Sequence, residues 1–210
     1  MNVRARVSAT RRVRRSPHRL TSLDELQPKA EVKIALRARI LGLDPGSRVT
    51  GFAVLDCSGG DIRYVVSGGI RAEGSDFPAR LQQIFKGVAE LVAEHQPDEV
   101  AIERVFMHRN ADSALKLGQA RGAALCATFG VPASVFEYAP REVKQAVVGT
   151  GAAEKTQVQL MVRRLLKLSG EMGADAADAV AIALCHAHSR RLRSLLGAAG
   201  AKAGTKVMRK

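Results

Sequence analysis

The stretch ILGLDPGSRVTGFAVLD, residues 40–56, decides the fold. Ile40 to Leu43 is a short apolar strand, Asp44-Pro45-Gly46-Ser47 is a turn, and Thr50 to Asp56 alternates as a second strand. A third strand is expected at Ile62 to Ser67, because the intervening Gly59-Gly60-Asp61 is short enough for an antiparallel hairpin. Downstream, Leu81, Ile84, Phe85, Val88, Leu91 and Val92 recur at helical spacing within Phe77 to Glu94. Val100 to Ile102 reads as a buried strand ending at Glu103, Asp112 to Thr128 as a helix, and Ala133 to Phe136 as a fifth strand. Helices then dominate: one begins at Pro140, Glu154 to Leu168 is amphipathic, and Asp175 to His188 is strongly apolar. Three meander strands followed by alternating helix and strand predict an α/β mixed five-stranded sheet flanked by helices.

The chain of 210 residues suits one domain of about 150 residues with tails. Its apolar segments are too short for a membrane span, which needs about 18 continuous apolar residues. The formal charge of +13 is unevenly distributed. Residues 1–39 hold 11 Lys and Arg against 3 acids, and residues 190–210 hold 7 against none, whereas residues 40–189 hold 15 against 17. Total charge is therefore weak support for a DNA-binding fold, and local placement of bases has to carry that argument. The domain is expected at 39–189, between a disordered basic extension at 1–38 and a basic tail at 190–210. Cys57, Cys126 and Cys185 are far apart and form no CxxC pair, so neither a disulfide framework nor a zinc site is supported, and a reducing cytoplasm fits.

Four carboxylates carry the candidate chemistry. Asp44 and Glu103 each end a predicted strand, and would project from one sheet edge if those strands are neighbours. Asp175 and Asp178 lie three apart on one face of the last helix, in ADAADA, where no local positive partner is offered. Singly, each acid has a plain structural explanation in a helix first turn or a strand-end turn. Gathered together they would repel without a cation between them, and oxygen-ligated Mg²⁺ resolves that conflict. Two such ions about 4 Å apart activate a water and stabilise the leaving oxygen of a phosphodiester.

The segment after Glu103 carries Arg104, Arg109, Lys116 and Arg121 around Phe106. A basic loop with an exposed aromatic holds phosphates while stacking on an opened base, although core packing of Phe106 fits the pattern equally well. Lys144 and Lys155 on later helices are candidates for phosphate contact. Gly118 and Gly122, four apart on one helix, allow close backbone approach, either within the fold or across a twofold axis.

ILGLDPGSRVTG, AIERVFMHRNADSALKLGQARG, FEYAPREVKQAVVG, AEKTQVQ and ADAADAVAIA resemble, in order, the signature segments of the RuvC crossover-junction endodeoxyribonucleases. The likeness covers about residues 39–188 and implies a ribonuclease-H-like fold. It implies a homodimer that binds four-way DNA junctions and nicks two opposed strands with divalent metal, two Mg²⁺ per site with Mn²⁺ as a substitute. By matching position, Asp44, Glu103, Asp175 and Asp178 are the metal-binding catalytic acids, and Phe106 stacks on a base near the crossover. Lys144 and Lys155 match positions linked with DNA binding and catalysis, joining Arg104 and Arg109 of the basic loop as expected DNA contacts; the helix with Gly118 and Gly122 resembles the dimer-contact helix, and a RuvA–RuvB branch-migration complex is the expected partner. Arg104 departs from the neutral polar residue expected at its position, which alters the electrostatics beside Glu103.

Two other classes compete. A phosphotransferase of the actin and sugar-kinase type also opens with a strand, an acid and a Gly-rich hairpin, but needs a second related half, and LDPGSRVTG occurs once. A noncatalytic junction-binding module is disfavoured by the presence of all four acids.

Overall fold

A computed structural model describes residues 37–104 and 110–205, with side chains of the final helix described through residue 195. Three antiparallel strands come first: β1 (Arg37–Asp44), β2 (Val49–Ser58) and β3 (Asp61–Arg71). After α1 (Phe77–His95), β4 (Glu99–Glu103) pairs parallel to β1 and β5 (Ser134–Tyr138) pairs parallel to β4, with α2 (Ala111–Ala127) between them. The sheet order is β3-β2-β1-β4-β5. Three helices follow: α3 (Pro140–Val148), α4 (Lys155–Leu165) and α5 (Ala174–Thr205).

Alternation along the strands divides the interior in two. Leu41, Leu43, Val54, Val100 and Ile102 face α1 and α2, where Ile84, Val88, Ala120 and Ala124 are buried. Ile40, Ala53, Leu55 and Ala101 face α3, α4 and α5. Burying both faces stabilises the sheet at roughly 25 cal/mol per Å² of apolar surface removed from water.

The face under α5 depends on two glycines. A Cβ on Gly42 would collide with the Ala179 carbonyl oxygen, and one on Gly51 with the Asp175 carbonyl oxygen. With no Cβ at either site, the α5 backbone lies directly on β1 and β2. This contact seats the first turn of α5 beside the carboxyl end of β1.

The observed elements extend several expected ones. β3 continues through Gly68 and Gly69 to Arg71, because its pairing with β2 persists as far as Val49↔Arg71. The expected helix over Glu154 to Leu168 is shorter, ending at Leu165 before Lys167 turns at φ 52°. α5 runs on past His188 to Thr205, through residues expected to be tail. No helix among the described residues is long and apolar enough to cross a membrane.

Candidate active site

The pair Leu43↔Ile102 ends the β1–β4 register, so the next residue on each strand, Asp44 and Glu103, stand side by side. Both point to the α5 face, since Asp44 follows Ile40 and Gly42 in the alternation and Glu103 follows Ala101. Clefts beyond the carboxyl ends of parallel strands are the usual ligand positions of such sheets. Here Asp44, Glu103, Lys144, Lys155 and Asp178 line one cavity of about 230 Å³, floored by Val143, Val158 and Ile182. Pro140 starts α3 and carries Lys144 to the rim, while Lys155 is the first residue of α4.

The electrostatics of this cavity are those of crowded, partly dehydrated acids. Burial pushes the Asp44 carboxyl up to about 7, and the nearby charges of Glu103, Asp178 and Asp175 add to the effect while Lys155 opposes it. Glu103 is raised by burial first and by Asp178 next, against Lys155 and Lys144. The Lys155 ammonium lies 2.6 Å from Asp178 Oδ2, with the lysine side chain 58% exposed and the aspartate 26% exposed. The sequence of ADAADA offers no positive partner, yet α4 supplies one from outside the motif.

Asp175 sits one helical turn from Asp178 and opens onto a neighbouring cavity of about 350 Å³ that Arg71 and Arg163 also line. Its charge still reaches Asp44. Among the described residues, no three acids close on one point as metal ligands. Asp44, Glu103 and Asp178 instead share a wall, with Lys155 in the gap. The donor set nevertheless fits a hard divalent cation: it is all carboxylate oxygen, already crowded, and partly neutralised by an ammonium that a flexible stem can withdraw.

The base of the site is held by two arginines that the sequence pattern groups with phosphate-holding bases and the fold turns toward the protein. Arg121 donates from Nε to the Glu103 carbonyl oxygen at 3.0 Å and pairs with Glu137 at 2.5 Å. Glu137 also faces Arg104 at 3.8 Å, so Arg104 is ion-paired on the protein side. Spacing alone could have suggested Arg121, which lies on the inward side of α2 opposite Lys116, itself paired with Asp112. Phe106 and Arg109 lie outside the described residues.

On the opposite side of the sheet, Gly118 and Gly122 face open space, so the close approach they permit is not used within the fold. They continue an outward stripe on and just after α2 with Leu115, 63% exposed, and Phe129, 66% exposed.

Comparisons with known proteins place the chain in a family and match its fold. The family model described as crossover junction endodeoxyribonuclease RuvC matches residues 40–186. A relative of that name from Shewanella sediminis is 56% identical over 164 residues, spanning 78% of this chain and 95% of the relative. Another from Vibrio cholerae is 55% identical over 161 residues, spanning 77% and 92%. Among solved structures, Thermus thermophilus RuvC in complex with Holliday junction substrate superposes with a TM-score of 0.69 at 34% identity, covering 75% of this chain and 97% of that one. The yeast mitochondrial Holliday junction resolvase shares the fold, with a TM-score of 0.53 at 12% identity over 76% of this chain and 82% of that one.

Proposed function

This chain belongs to the RuvC family of crossover junction endodeoxyribonucleases, and from that premise we propose that Asp44, Glu103, Asp175 and Asp178 hold the metal with which it cuts four-way DNA junctions. It is a metal-dependent Holliday-junction resolvase acting in DNA recombination and repair. The observation that carries the site assignment is the convergence of Asp44, Glu103 and Asp178 on one cavity at the ends of adjacent parallel strands.

The metal is Mg²⁺, which Mn²⁺ can replace, bound as two ions; when bound it supplies an activated water and charge stabilisation at the leaving oxygen. Asp44 and Glu103 orient from the sheet, and Asp175 and Asp178 from α5, so the acids approach the scissile phosphate from two rigid elements. Lys155 releases Asp178 when the acids are neutralised and turns to the phosphate, and Lys144 holds the same strand from the rim. Phe106 stacks on an opened base at the crossover, while Arg104 and Arg109 flank it on the backbone.

The active form is a homodimer in which α2, through Gly118 and Gly122, meets its copy across a twofold axis. Two sites so related nick opposed strands symmetrically. The exposed stripe that includes Leu115 supports this reading. The nuclease unit takes in β1 from Arg37 and α5 with its buried Arg190, the basic segment at 1–36 and the bases after Arg193 add nonspecific DNA affinity, and the protein works in the bacterial cytoplasm with the RuvA–RuvB branch-migration complex.

The test is cleavage of a synthetic four-way junction with and without Mg²⁺. Wild-type protein is expected to nick two opposed strands only with metal, and Asp44→Asn to bind the junction without cutting it. A fully active Asp44→Asn protein would defeat the site assignment.

A further inference from the structure

Beneath the acid cavity lies a second polar cluster that cleavage chemistry does not use. His186 on α5 is completely buried. Its Nδ1 lies 2.6 Å from the Tyr138 hydroxyl and its Nε2 lies 2.7 Å from Glu99 Oε2. Burial holds the imidazole below its usual pKa despite the facing Glu99. The neutral ring therefore accepts from the Tyr138 O–H and donates from Nε2 to Glu99, which satisfies every polar atom of the ring. Arg190 Nε donates to both oxygens of Glu99 at 3.1 and 2.9 Å. Burial alone would raise Glu99, but the bonds from His186 and Arg190 outweigh it and hold the carboxylate ionised.

The placement of this cluster gives it a consequence. Glu99 and Glu103 stand on the same face of β4, four residues apart, a separation of about 13 Å. His186 and Asp178 stand eight residues apart on α5, a separation of about 12 Å. The two elements run antiparallel and are joined twice, by the His186–Glu99 pair at one end and the acid cavity at the other. Between these ends, Ala179 and Ala183 approach Gly42 and Ala179 approaches Gly51, while Val180, Ile182 and Leu184 are buried in the same layer. Backbone and apolar contacts of this kind are non-directional, so a shift of α5 by a small part of its pitch of about 5.4 Å would move Asp178 relative to Glu103. The directional buried hydrogen bonds of His186 oppose such a shift.

We propose that His186 and Glu99 are positioning residues for cleavage, pinning α5 to β4 so that Asp178 and Glu103 stay on one cavity. The proposal rests on the reading of these acids as metal holders. It differs from a plain core role, because it ties the cluster to metal affinity rather than to stability.

The test uses the full chain in three variants, His186→Leu, His186→Gln and Glu99→Gln, with Ile84→Ala on the far sheet face as a control for lost stability. Four quantities are read: thermal midpoint, Mn²⁺ affinity by calorimetry without DNA, junction affinity without metal, and single-turnover cleavage at saturating protein. His186→Leu and Glu99→Gln are expected to bind Mn²⁺ about tenfold or more weakly and to cleave correspondingly slowly, as when the outer support of a metal site is removed. Their junction affinity should stay within about twofold of wild type, since phosphate contacts dominate it. His186→Gln, which can still donate to Glu99, should recover part of the Mn²⁺ affinity that His186→Leu loses. Ile84→Ala should lower the thermal midpoint while leaving Mn²⁺ affinity intact. Wild-type Mn²⁺ affinity and cleavage in folded Glu99→Gln or His186→Leu would overturn the proposal and leave the cluster a core contact. Absence of Mn²⁺ binding by the wild-type protein would instead overturn the reading of the acids, and the pin with it.

Discussion

The Lys155 ammonium lies 2.6 Å from Asp178 Oδ2, so the acid cavity holds a cation supplied by the chain itself. This lysine lowers the pKa of both Asp44 and Glu103 against burial and mutual repulsion. Lys155→Met should therefore move the Asp44 carboxyl above about 7 in metal-free protein, seen by carboxyl carbon NMR. Cleavage by the variant should slow, and its pH profile should shift to the alkaline side. An unmoved Asp44 titration would show that Lys155 is a solvated charge with no influence on the acids.

Stability of the metal-free protein should depend on pH in two opposed ways. Asp44 titrates at about 7 in the fold against an ordinary 3.8, so from about pH 4 to 7 the native state holds a proton that the unfolded chain has lost. Its contribution to stability is complete below that window, declines as pH rises through it, and stays flat above about 7. Asp56 behaves oppositely: the hydrogen bonds of Arg39 and then Arg63 hold it at about 2, so its contribution is lost as pH falls from about 4 to 2. Urea titrations across pH should show both limbs, and Asp44→Asn should diminish the neutral one, leaving what the raised Glu103 carboxyl contributes. Because metal needs Asp44 ionised, Mn²⁺ affinity should also climb by up to tenfold per pH unit below about 7. If Asp44→Asn keeps the descending limb between pH 4 and 7 at full size, another group is responsible.

Much of this layout is legible in the residues, and the failures have physical causes. Local patterns identify the alternation at Thr50 to Asp56, the helix from Phe77 and the strand-end positions of Asp44 and Glu103, because each depends on neighbours within a turn or a pleat. Neighbourhood of β1 and β4 is a long-range fact, and so is the arrival of Lys155 beside Asp178 from a separate helix. The role of His186 has no local signal in its own segment, since its partners Glu99 and Tyr138 are distant in sequence. The one local hint is an acid beginning the apolar run Val100 to Ile102. Gly68 and Gly69 conceal the length of β3, because glycine weakens strand propensity while the ladder to β2 continues across it.

Replacing both Gly118 and Gly122 by Ala separates folding from association. A Cβ at either position meets open space, and alanine gains up to about 1 kcal/mol over glycine in a helix interior. The thermal midpoint of the protomer should rise while dimerisation, followed by sedimentation, weakens several-fold. A more stable protein with unchanged association would move the dimer contact away from α2.

Phe106→Ala should slow junction cleavage more than it weakens junction binding, because a lost stack of roughly 1 to 3 kcal/mol acts on an opened base while phosphate contacts survive. A fluorescent base analogue at the crossover should report less unstacking, at a nearly unchanged melting temperature. Core packing of Phe106 predicts the reverse: a loss of about 3 to 5 kcal/mol in stability with base opening unaltered.

Gly42 and Gly51 put backbone against backbone on the α5 side of the sheet, leaving that interface no side-chain slack to absorb change. The other side, where Ile84, Val88, Ala120 and Ala124 meet β1, β2 and β4, is made of interchangeable apolar side chains. Substitutions there can be taken up by repacking without disturbing the acids. Geometry thus makes one layer of the molecule tolerant: the α1 side can be rebuilt without moving the acids, while α5, and α2 where Arg121 holds the Glu103 backbone, remain committed to a single placement.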